Sequence, residues 1–151
     1  MQPALELALE VHATLAPALS VGETPQGMRR VIPITGGRFE GPKLKGEVVP
    51  GGADWQFDRP DGVTELEALY LLRTQDGAHI QVHNRGLRHG PAEVMSRLRA
   101  GAAVAPEEYY FRATPSFSAP AGRYEWLNRS LFLYTGARYA DAVRLWMYRV
   151  T

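Results

Sequence analysis

The sequence predicts a mainly β protein, a single closed antiparallel β-barrel with one short helix near residues 91–100. Three observations predict a single β-rich domain, which these patterns by themselves leave as a sandwich or a barrel. Glycine and proline recur at short intervals between Gly36 and Gly62, which is typical of short strands joined by tight connections. Asp76-Gly77 separates two strand-like runs and predicts a hairpin, because both residues tolerate a positive φ. At 151 residues the chain fits one domain, residues 1–151, with a full apolar core.

The N-terminal part of the chain predicts two strands separated by a loop. Apolar residues alternate with polar or small ones from Leu5 to His12, the two-residue period of a strand with one buried face. The residue types favour a helix, but a sheet that completes the core overrides that preference, so we predict a strand. Residues 17–29 are interrupted by proline and glycine and predict a loop. Arg30–Ile34 predicts the next strand, in which Pro33 indicates an edge or a bulge because proline donates no ladder hydrogen bond.

The rest of the chain predicts one helix among further strands. Residues 91–100 begin with a proline, carry Glu93 in the first turn and arginines in the last, and are followed by Gly101, as helices often are. Residues 84–90, before this helix, predict a loop. The expected strands are 65–73, 78–83, 109–113, 124–129, 131–134 and 143–150.

Composition and charge limit the partners. The formal net charge of +1 predicts no nucleic-acid partner. No stretch approaches the roughly 20 apolar residues of a membrane span, so we expect no membrane partner. Acidic residues interrupt the apolar N-terminus and no basic leader precedes it, so we expect a cytoplasmic protein. The absence of cysteine excludes disulfides and thiolate chemistry. A homo-oligomer is compatible with all of these features.

The sequence contains no cofactor or metal motif. A phosphate-binding glycine loop, a dinucleotide fingerprint and a GxSxG elbow are all missing, so we expect no cofactor. His79 and His83 would lie about 13 Å apart on an extended strand, too far to share a metal ion. No HExxH spacing occurs either, so we expect no metal. His89 beside the helix is either a surface residue or a proton-transfer group.

The most distinctive local motif is Pro50-Gly51-Gly52-Ala53-Asp54-Trp55. Glycines after the proline predict a tight turn, which would place the Asp54 carboxylate beside the Trp55 indole. An apolar neighbour raises the pKa of a carboxyl group, and a general acid or base near neutral pH needs such a pKa. The alternative is that Asp54 only caps its own turn.

A second candidate lies in the aromatic run Tyr109-Tyr110-Phe111-Arg112. By alternation Tyr110 and Arg112 share one strand face. An arginine buried in an aromatic strand needs an anion or several acceptors, so Arg112 would bind a substrate oxygen. The alternative is an internal ion pair with an acid such as Asp54 or Asp76.

A third candidate face lies on the predicted strand 124–129. There Tyr124 and Trp126 would form two aromatic walls, and the Asn128 amide would both donate and accept hydrogen bonds. The alternatives are that the aromatic residues pack in the core and that Asn128 ends the strand at a turn.

These motifs occur together in one known family. They comprise Arg30–Gly37, Gly41-Pro42, Pro50–Trp55, Asp76-Gly77, Asn84-Arg85-Gly86, Tyr109–Arg112 and Trp126–Arg129. In this order they resemble the uncharacterised bacterial family called domain of unknown function 3237, over nearly the whole chain. The resemblance implies a small antiparallel β-barrel with a cavity, similar in outline to lipocalin-like and allene-oxide-cyclase-like barrels. It implies no particular reaction.

Taken together, the residues suggest a cofactor-independent lyase, isomerase or cyclase for a small carbonyl-bearing or aromatic compound. Asp54 would move the proton, and Arg112 and Asn128 would stabilise the oxyanion. The expected substrate-binding residues are Arg30, Trp55, Asn84, Tyr110, Tyr124 and Trp126. One alternative is a carrier or sensor of a small hydrophobic ligand, without catalysis. Another is a structural or oligomer-forming protein whose polar residues form internal ion pairs.

Overall fold

A computed structural model describes residues 1–151 and contains nine β-strands. The strands are β1 (Leu5–Leu15), β2 (Leu19–Thr24), β3 (Gly27–Glu40), β4 (Lys45–Asp58), β5 (Thr64–Thr74), β6 (His79–His89), β7 (Tyr110–Ser118), β8 (Phe132–Arg138) and β9 (Ala142–Val150). The helices are α1 (Ala92–Arg99) and two 3-10 helices, η1 (Pro106–Glu108) and η2 (Glu125–Arg129). None of the helices has the length and apolar character needed to cross a membrane.

The sheet closes on itself as an antiparallel barrel. Neighbouring strands follow the order β1-β9-β8-β7-β6-β5-β4-β3, and β3 then pairs with β1. β2 lies outside this ring and pairs with the first part of β3. The predicted mainly β fold, a closed antiparallel barrel, is therefore confirmed. Closure pairs both sides of every strand in the ring, and this explains how the chain manages without exposed sheet edges there.

Side chains that alternate strictly between the inner and outer faces of the strands fill the barrel interior. In β5 every second residue from Thr64 to Thr74 is buried, and β7 follows the same pattern. Where bulky side chains meet, a small residue makes room. A Cβ atom on Gly136 of β8 would lie 2.7 Å from the Phe111 ring of β7, so only glycine fits there.

A plug of apolar side chains closes one end of the barrel, called the closed end below. η2 lies across it, with Leu127 and Tyr124 only 1% and 4% exposed. Beneath them Phe117 and Phe132 pack edge to face, with ring centroids 4.8 Å apart. Burying these large apolar groups together makes the closed end part of the core.

The opposite end of the barrel, called the mouth below, is open. α1 lies beside it and contributes one buried residue, Val94. Met95 and Leu98 of the same helix line a pocket of about 420 Å³ at the mouth. The predicted helix over 91–100 is thus confirmed, and its position makes it one wall of a surface pocket.

Two expected loops are strands in the structure. Residues 17–29 contain β2 and the start of β3, joined by a tight turn at Pro25 and Gln26. Residues 84–90 mostly continue β6, because β5 and β7 pair with it on both sides as far as Arg88 and His89. Pairing on both sides supplies hydrogen bonds that outweigh the weak strand propensity of asparagine and glycine.

The expected strand over 124–129 is wrong, because the chain forms η2 there. The amide of Leu127 donates to the carbonyl of Tyr124, and the amide of Glu125 donates to that of Gly122. A three-residue spacing therefore brings Tyr124 and Leu127 to the same buried side, which a 3-10 helix achieves and a strand does not.

The motif at 50–55 lies inside β4 as a bulge rather than at a turn after a strand. The pairing of β4 with β5 shifts register between Val49 and Ala53. Gly51 adopts a φ of 112°, and a Cβ on Gly52 would lie 2.4 Å from the Tyr70 Cβ. The neighbouring pairing of β3 with β4 shifts after Pro33, where a bulge or an edge was expected.

Candidate active site

The candidate site is a small cavity inside the barrel, next to the mouth. Its volume is about 40 Å³, which is room for roughly three water molecules. Apolar residues form most of its wall, and Ile32, Arg88 and Arg138 line both this cavity and the mouth pocket. A ligand in the mouth pocket therefore lies next to the cavity.

Strand register brings Asp54 and Asn84 to the same level of this cavity. Asp54 of β4 pairs with Ala68 of β5, and Ala68 pairs in turn with Asn84 of β6. The side chains of cross-strand partners point to the same face of a sheet, so all three point inward. Because the middle residue is an alanine, space remains between the carboxylate and the amide.

Three buried polar atoms of this cavity have no hydrogen-bond partner in the protein. They are Asp54 Oδ1, Asn84 Oδ1 and Arg88 Nε. Buried polar groups are almost always paired, with protein or with something bound. One N–H donor and two oxygens without partners thus belong to residues that line the same cavity, and together they suit a ligand that both accepts and donates hydrogen bonds.

The second oxygen of Asp54 is held by a buried glutamine. Gln56 Nε2 donates to Asp54 Oδ2 at 2.7 Å. Its Oε1 accepts from Arg30 Nε at 2.9 Å and from Arg88 Nη2 at 3.4 Å. Arg30 in turn forms an ion pair with Asp58 at the mouth. Since two arginines donate to the Gln56 oxygen, its amide nitrogen faces Asp54 and fixes the direction of that carboxylate.

The two aspartates of β4 have pKa values shifted in opposite directions. Burial raises the pKa of Asp54, while the Gln56 hydrogen bond and the charge of Arg88 act against this rise. Partial burial would also raise the pKa of Asp58, but hydrogen bonds from Thr64 and Arg30 lower it below the ordinary value. Two nearby carboxyl groups with pKa values driven apart are typical of acid–base sites, and Asp54 is the member suited to exchange a proton.

The groups facing Asp54 keep their protons at neutral pH. Burial lowers the pKa of Arg88 to about 10, and the neighbouring Asp54 partly offsets this. Burial raises the pKa of Tyr70 and of Tyr134. Asn84 Nδ2 donates to the Tyr70 hydroxyl at 3.4 Å. The cavity therefore offers a cation and neutral hydroxyls around one titratable carboxyl group.

Of the residues singled out in the sequence, Asp54 and Asn84 line the cavity and Arg30 lines the mouth. The expected reason for the shifted pKa of Asp54 is wrong. Trp55 points to the outer surface, 43% exposed, with the Arg29 guanidinium 5.0 Å from its ring centre. Asp54 is buried by the barrel interior and does not cap its own turn.

Arg112 and Tyr110 are on the outer wall and do not meet Asp54. Arg112 is exposed and donates to the carbonyl of Phe111 at 2.9 Å. Tyr110 is 45% exposed and stacks on His89 with 4.8 Å between ring centroids. Alternation correctly placed these two on one face, but that face is the outer one, and Phe111, only 3% exposed, points into the barrel.

Asn128, Tyr124 and Trp126 are at the closed end and do not meet Asp54 either. The Asn128 amide accepts from the amide of Ala119 and donates to its carbonyl, both at 2.8 Å. The Tyr124 hydroxyl donates to Asp76 at 2.8 Å. Trp126 packs near Phe132. All three are occupied with holding η2 in place.

Sequence reasoning missed Arg88, Arg138 and Gln56. These residues could have been found by following the alternation of inward and outward side chains to the end of each strand. Had β6 been continued past His83, the inward series through Asn84 and on to Arg88 would have been visible.

The acidic and histidine residues do not assemble a metal centre. No group of three or more His, Cys, Asp or Glu side chains comes together anywhere in the chain.

Fold and site together define a small antiparallel β-barrel with a mostly apolar cavity near one end, into which a few buried polar residues are set. The chain belongs to the family described as protein of unknown function (DUF3237), whose model matches residues 3–150. It is 41% identical over 152 residues to a UPF0311 protein of Rhodopseudomonas palustris (strain TIE-1), covering 99% of both chains. It is similar to the crystal structure of a conserved protein of unknown function, RPA1785, from Rhodopseudomonas palustris, with TM-score 0.97, 38% identity and coverage of 100% and 99%. A beta-barrel like protein of Acinetobacter baumannii matches with TM-score 0.87, 38% identity and coverage of 100% and 98%.

The chain also has a more distant similarity to a protein named as an enzyme. The chain is 32% identical over 80 residues, 53% of each chain, to a Penicillium herquei protein named hydroalkoxylation enzyme phnH. A crystal structure described as an enzyme from Penicillium herquei shares the fold, with TM-score 0.74, 22% identity and coverage of 100% and 96%.

Proposed function

We propose that this protein is a cofactor-independent enzyme that moves a proton on a small carbonyl-bearing or aromatic compound, with Asp54 as the acid–base group. One observation carries the proposal. A buried carboxyl group has one oxygen fixed by Gln56 and the other without a partner, and Arg88, whose Nε–H also has no partner, lines the same cavity next to the mouth. A base beside an oxyanion-stabilising donor is what proton transfer next to a carbonyl requires.

The chemistry balances with these groups alone. Asp54 as carboxylate removes a proton from the carbon next to the carbonyl, and the C–H electron pair moves to form an enolate. The Arg88 N–H stabilises the negative charge on the enolate oxygen. In a β,γ-unsaturated ketone this enolate is conjugated with the C=C bond, so protonated Asp54 returns the proton to the γ-carbon, the double bond moves next to the carbonyl, and the net reaction is an isomerisation.

The name of the Penicillium relative supports the same class of reaction. Hydroalkoxylation adds the oxygen and the hydrogen of a hydroxyl group across a C=C bond. A carboxylic acid that delivers a proton to carbon and a carboxylate that removes the hydroxyl proton complete such an addition without oxidation or reduction. Within one molecule this addition is a cyclisation, which extends the proposal from isomerase to cyclase.

Exchange with deuterated solvent tests the proposal without knowledge of the natural substrate. The protein is incubated in D2O with acetophenone, phenylacetone and 2-hydroxyacetophenone, and deuterium entering next to each carbonyl is followed by NMR. We expect faster exchange than in buffer, and a loss of about 100-fold or more of that enhancement in Asp54→Asn. The matched control is Asp61→Asn, an exposed aspartate that pairs with Arg59 outside the barrel.

The competing function is a carrier or sensor of a small ligand. The cavity is narrow and apolar residues form most of its wall, which favours retention of a hydrophobic group. A carrier predicts ketone binding without any exchange, and Asp54→Asn would then change the affinity alone. Exchange that survives in Asp54→Asn would contradict the role of Asp54.

A further inference from the structure

The mouth pocket has an unusual excess of positive charge. Four arginines line it, and no aspartate or glutamate does. They are Arg30, Arg88, Arg99 and Arg138. The chain as a whole carries a net charge of only +1, so this excess is local.

Other surface pockets are balanced by comparison. One groove at the far end of β3 and β4 contains Arg38, Lys45 and Arg73, but also Glu40 and Glu47. A wider groove beside η2 also mixes lysines and an arginine with Glu40 and Asp76. An arginine lining without any carboxylate thus distinguishes the mouth pocket from these two grooves.

Three of the four arginines form no ion pair with a protein carboxylate. Arg30 has Asp58 as its partner. Arg138 donates to the backbone carbonyl of Ala142 at 3.0 Å, and Arg99 has no ion pair. Arg88 is only 6% exposed, and its Nε is buried without any partner. Burying a charge with an open donor is costly unless an anion completes it.

We propose that the mouth is a carboxylate site, so that the natural ligand is a small organic acid whose carboxylate meets Arg88 with Arg99 and Arg138 around it. Guanidinium groups bind carboxylates through paired N–H donors, and the open Nε of Arg88 is such a donor. The inference rests on the proposed function in one respect: the carboxylate that Arg88 binds takes the place of the carbonyl whose oxygen this N–H stabilises, and Asp54 moves a proton on the carbon next to it.

The geometry favours a carboxylate over a phosphate. The buried donor without a partner is a single N–H beside the Asp54 carboxyl group, which suits one carboxylate oxygen better than the three oxygens of a phosphate. Phosphate esters remain the alternative that the experiment separates.

A matched set of probes tests the inference by calorimetry. Benzoate, its neutral amide benzamide and phenyl phosphate have the same ring and differ in the group that reaches the arginines. We expect benzoate to bind about tenfold or more tightly than benzamide, because a charge-assisted pair is lost in the amide. Equal affinities, tighter binding of phenyl phosphate, or no binding of any probe would each overturn the proposal.

Two arginines on one helix provide the control for position. Arg99→Gln should weaken benzoate binding about two- to fivefold and leave benzamide unchanged, as expected for a partly solvated pair. Arg97→Gln should change neither, because Arg97 pairs with Glu108 away from the pocket. Equal effects of the two variants would contradict the site.

A third variant tests the buried contact. Arg88→Lys keeps the charge but removes the Nε donor, and we expect a loss of about tenfold in benzoate affinity. If this variant fails to fold, the Arg99 and Arg97 pair still decides the proposal. The Asp54→Asn protein should retain its preference for benzoate, so that failure of the carboxylate site and failure of the proton-transfer function are separate results.

Discussion

At the closed end, Leu127 of η2 and Tyr124 just before it are buried near aromatic rings. The Tyr124 hydroxyl and the Asn128 amide form hydrogen bonds that hold the helix to the barrel. At the mouth, α1 buries only Val94, and the strands beneath it direct arginines, a glutamine and an aspartate inward. The same eight-stranded ring therefore ends in two different ways. An end filled with apolar groups stabilises the fold, and an end with open polar atoms is available for a ligand.

This comparison predicts that stability is concentrated at the closed end. Leu127→Ala should lower the free energy of unfolding by about 2–5 kcal/mol, because a fully buried leucine leaves a cavity. The same change at the mouth, Leu98→Ala, should cost about 1 kcal/mol or less. Urea unfolding of both variants gives the two values, and a larger cost for Leu98→Ala would reverse the assignment of the two ends.

Asn128 separates a structural from a catalytic role at the closed end. Asn128→Ala should lower the free energy of unfolding by about 1 kcal/mol, because it removes both hydrogen bonds to Ala119. Deuterium exchange into the ketones should be unchanged. Asn128→Asp keeps the acceptor and loses the donor, so its free energy of unfolding should lie between those of the natural protein and of Asn128→Ala. Lost exchange in a folded Asn128→Ala protein would restore this residue to the candidate site.

The mouth should instead respond to pH. The pKa of Asp54 is raised above its ordinary value of 3.8 in the folded protein, so the folded state favours the neutral acid. Its contribution to stability is present below the unfolded pKa and is lost as pH rises through the folded pKa. Asp54→Asn should therefore melt at a higher temperature than the natural protein at neutral pH, with a difference that shrinks on acidification.

Asp58 is the matched control, since its pKa is shifted the other way. Its contribution is present above the unfolded pKa and is lost as pH falls through the folded pKa. Asp58→Asn should accordingly melt at a lower temperature than the natural protein at neutral pH, and this deficit should shrink in acid. Thermal melts across the acid-to-neutral range measure both. Shifts of the same sign would mean that the Arg88 charge, and not burial, dominates the environment of Asp54.

The smallest effect is expected on the outer wall, which belongs to neither end. Arg112→Ala should change the free energy of unfolding by no more than about 0.5 kcal/mol, because the side chain is exposed and contacts only Tyr110 and a backbone carbonyl. Benzoate affinity, measured by calorimetry, should stay the same. A large loss of affinity would show that the outer wall takes part in binding.

Local patterns in the sequence determined that the chain is rich in strands and has one α-helix. The alternation in β1, the Asp76-Gly77 turn and the helix with its acidic start and basic end were each visible, because a strand face, a tight turn and a helix end depend on neighbouring residues. They also identified Asp54, and alternation along β4 places its side chain on the same strand face as those of Gln56 and Asp58.

Only the tertiary structure decided which face of each strand is the inside. Tyr110-Phe111-Arg112 alternates in the same way whether arginine or phenylalanine points inward, and closure of the ring placed Phe111 there. Asp54, Asn84 and Arg88 meet because β4, β5 and β6 pair in one register, and no spacing along the chain encodes that register. Periodicity is a local property, whereas the contents of a cavity depend on contacts between strands distant in sequence.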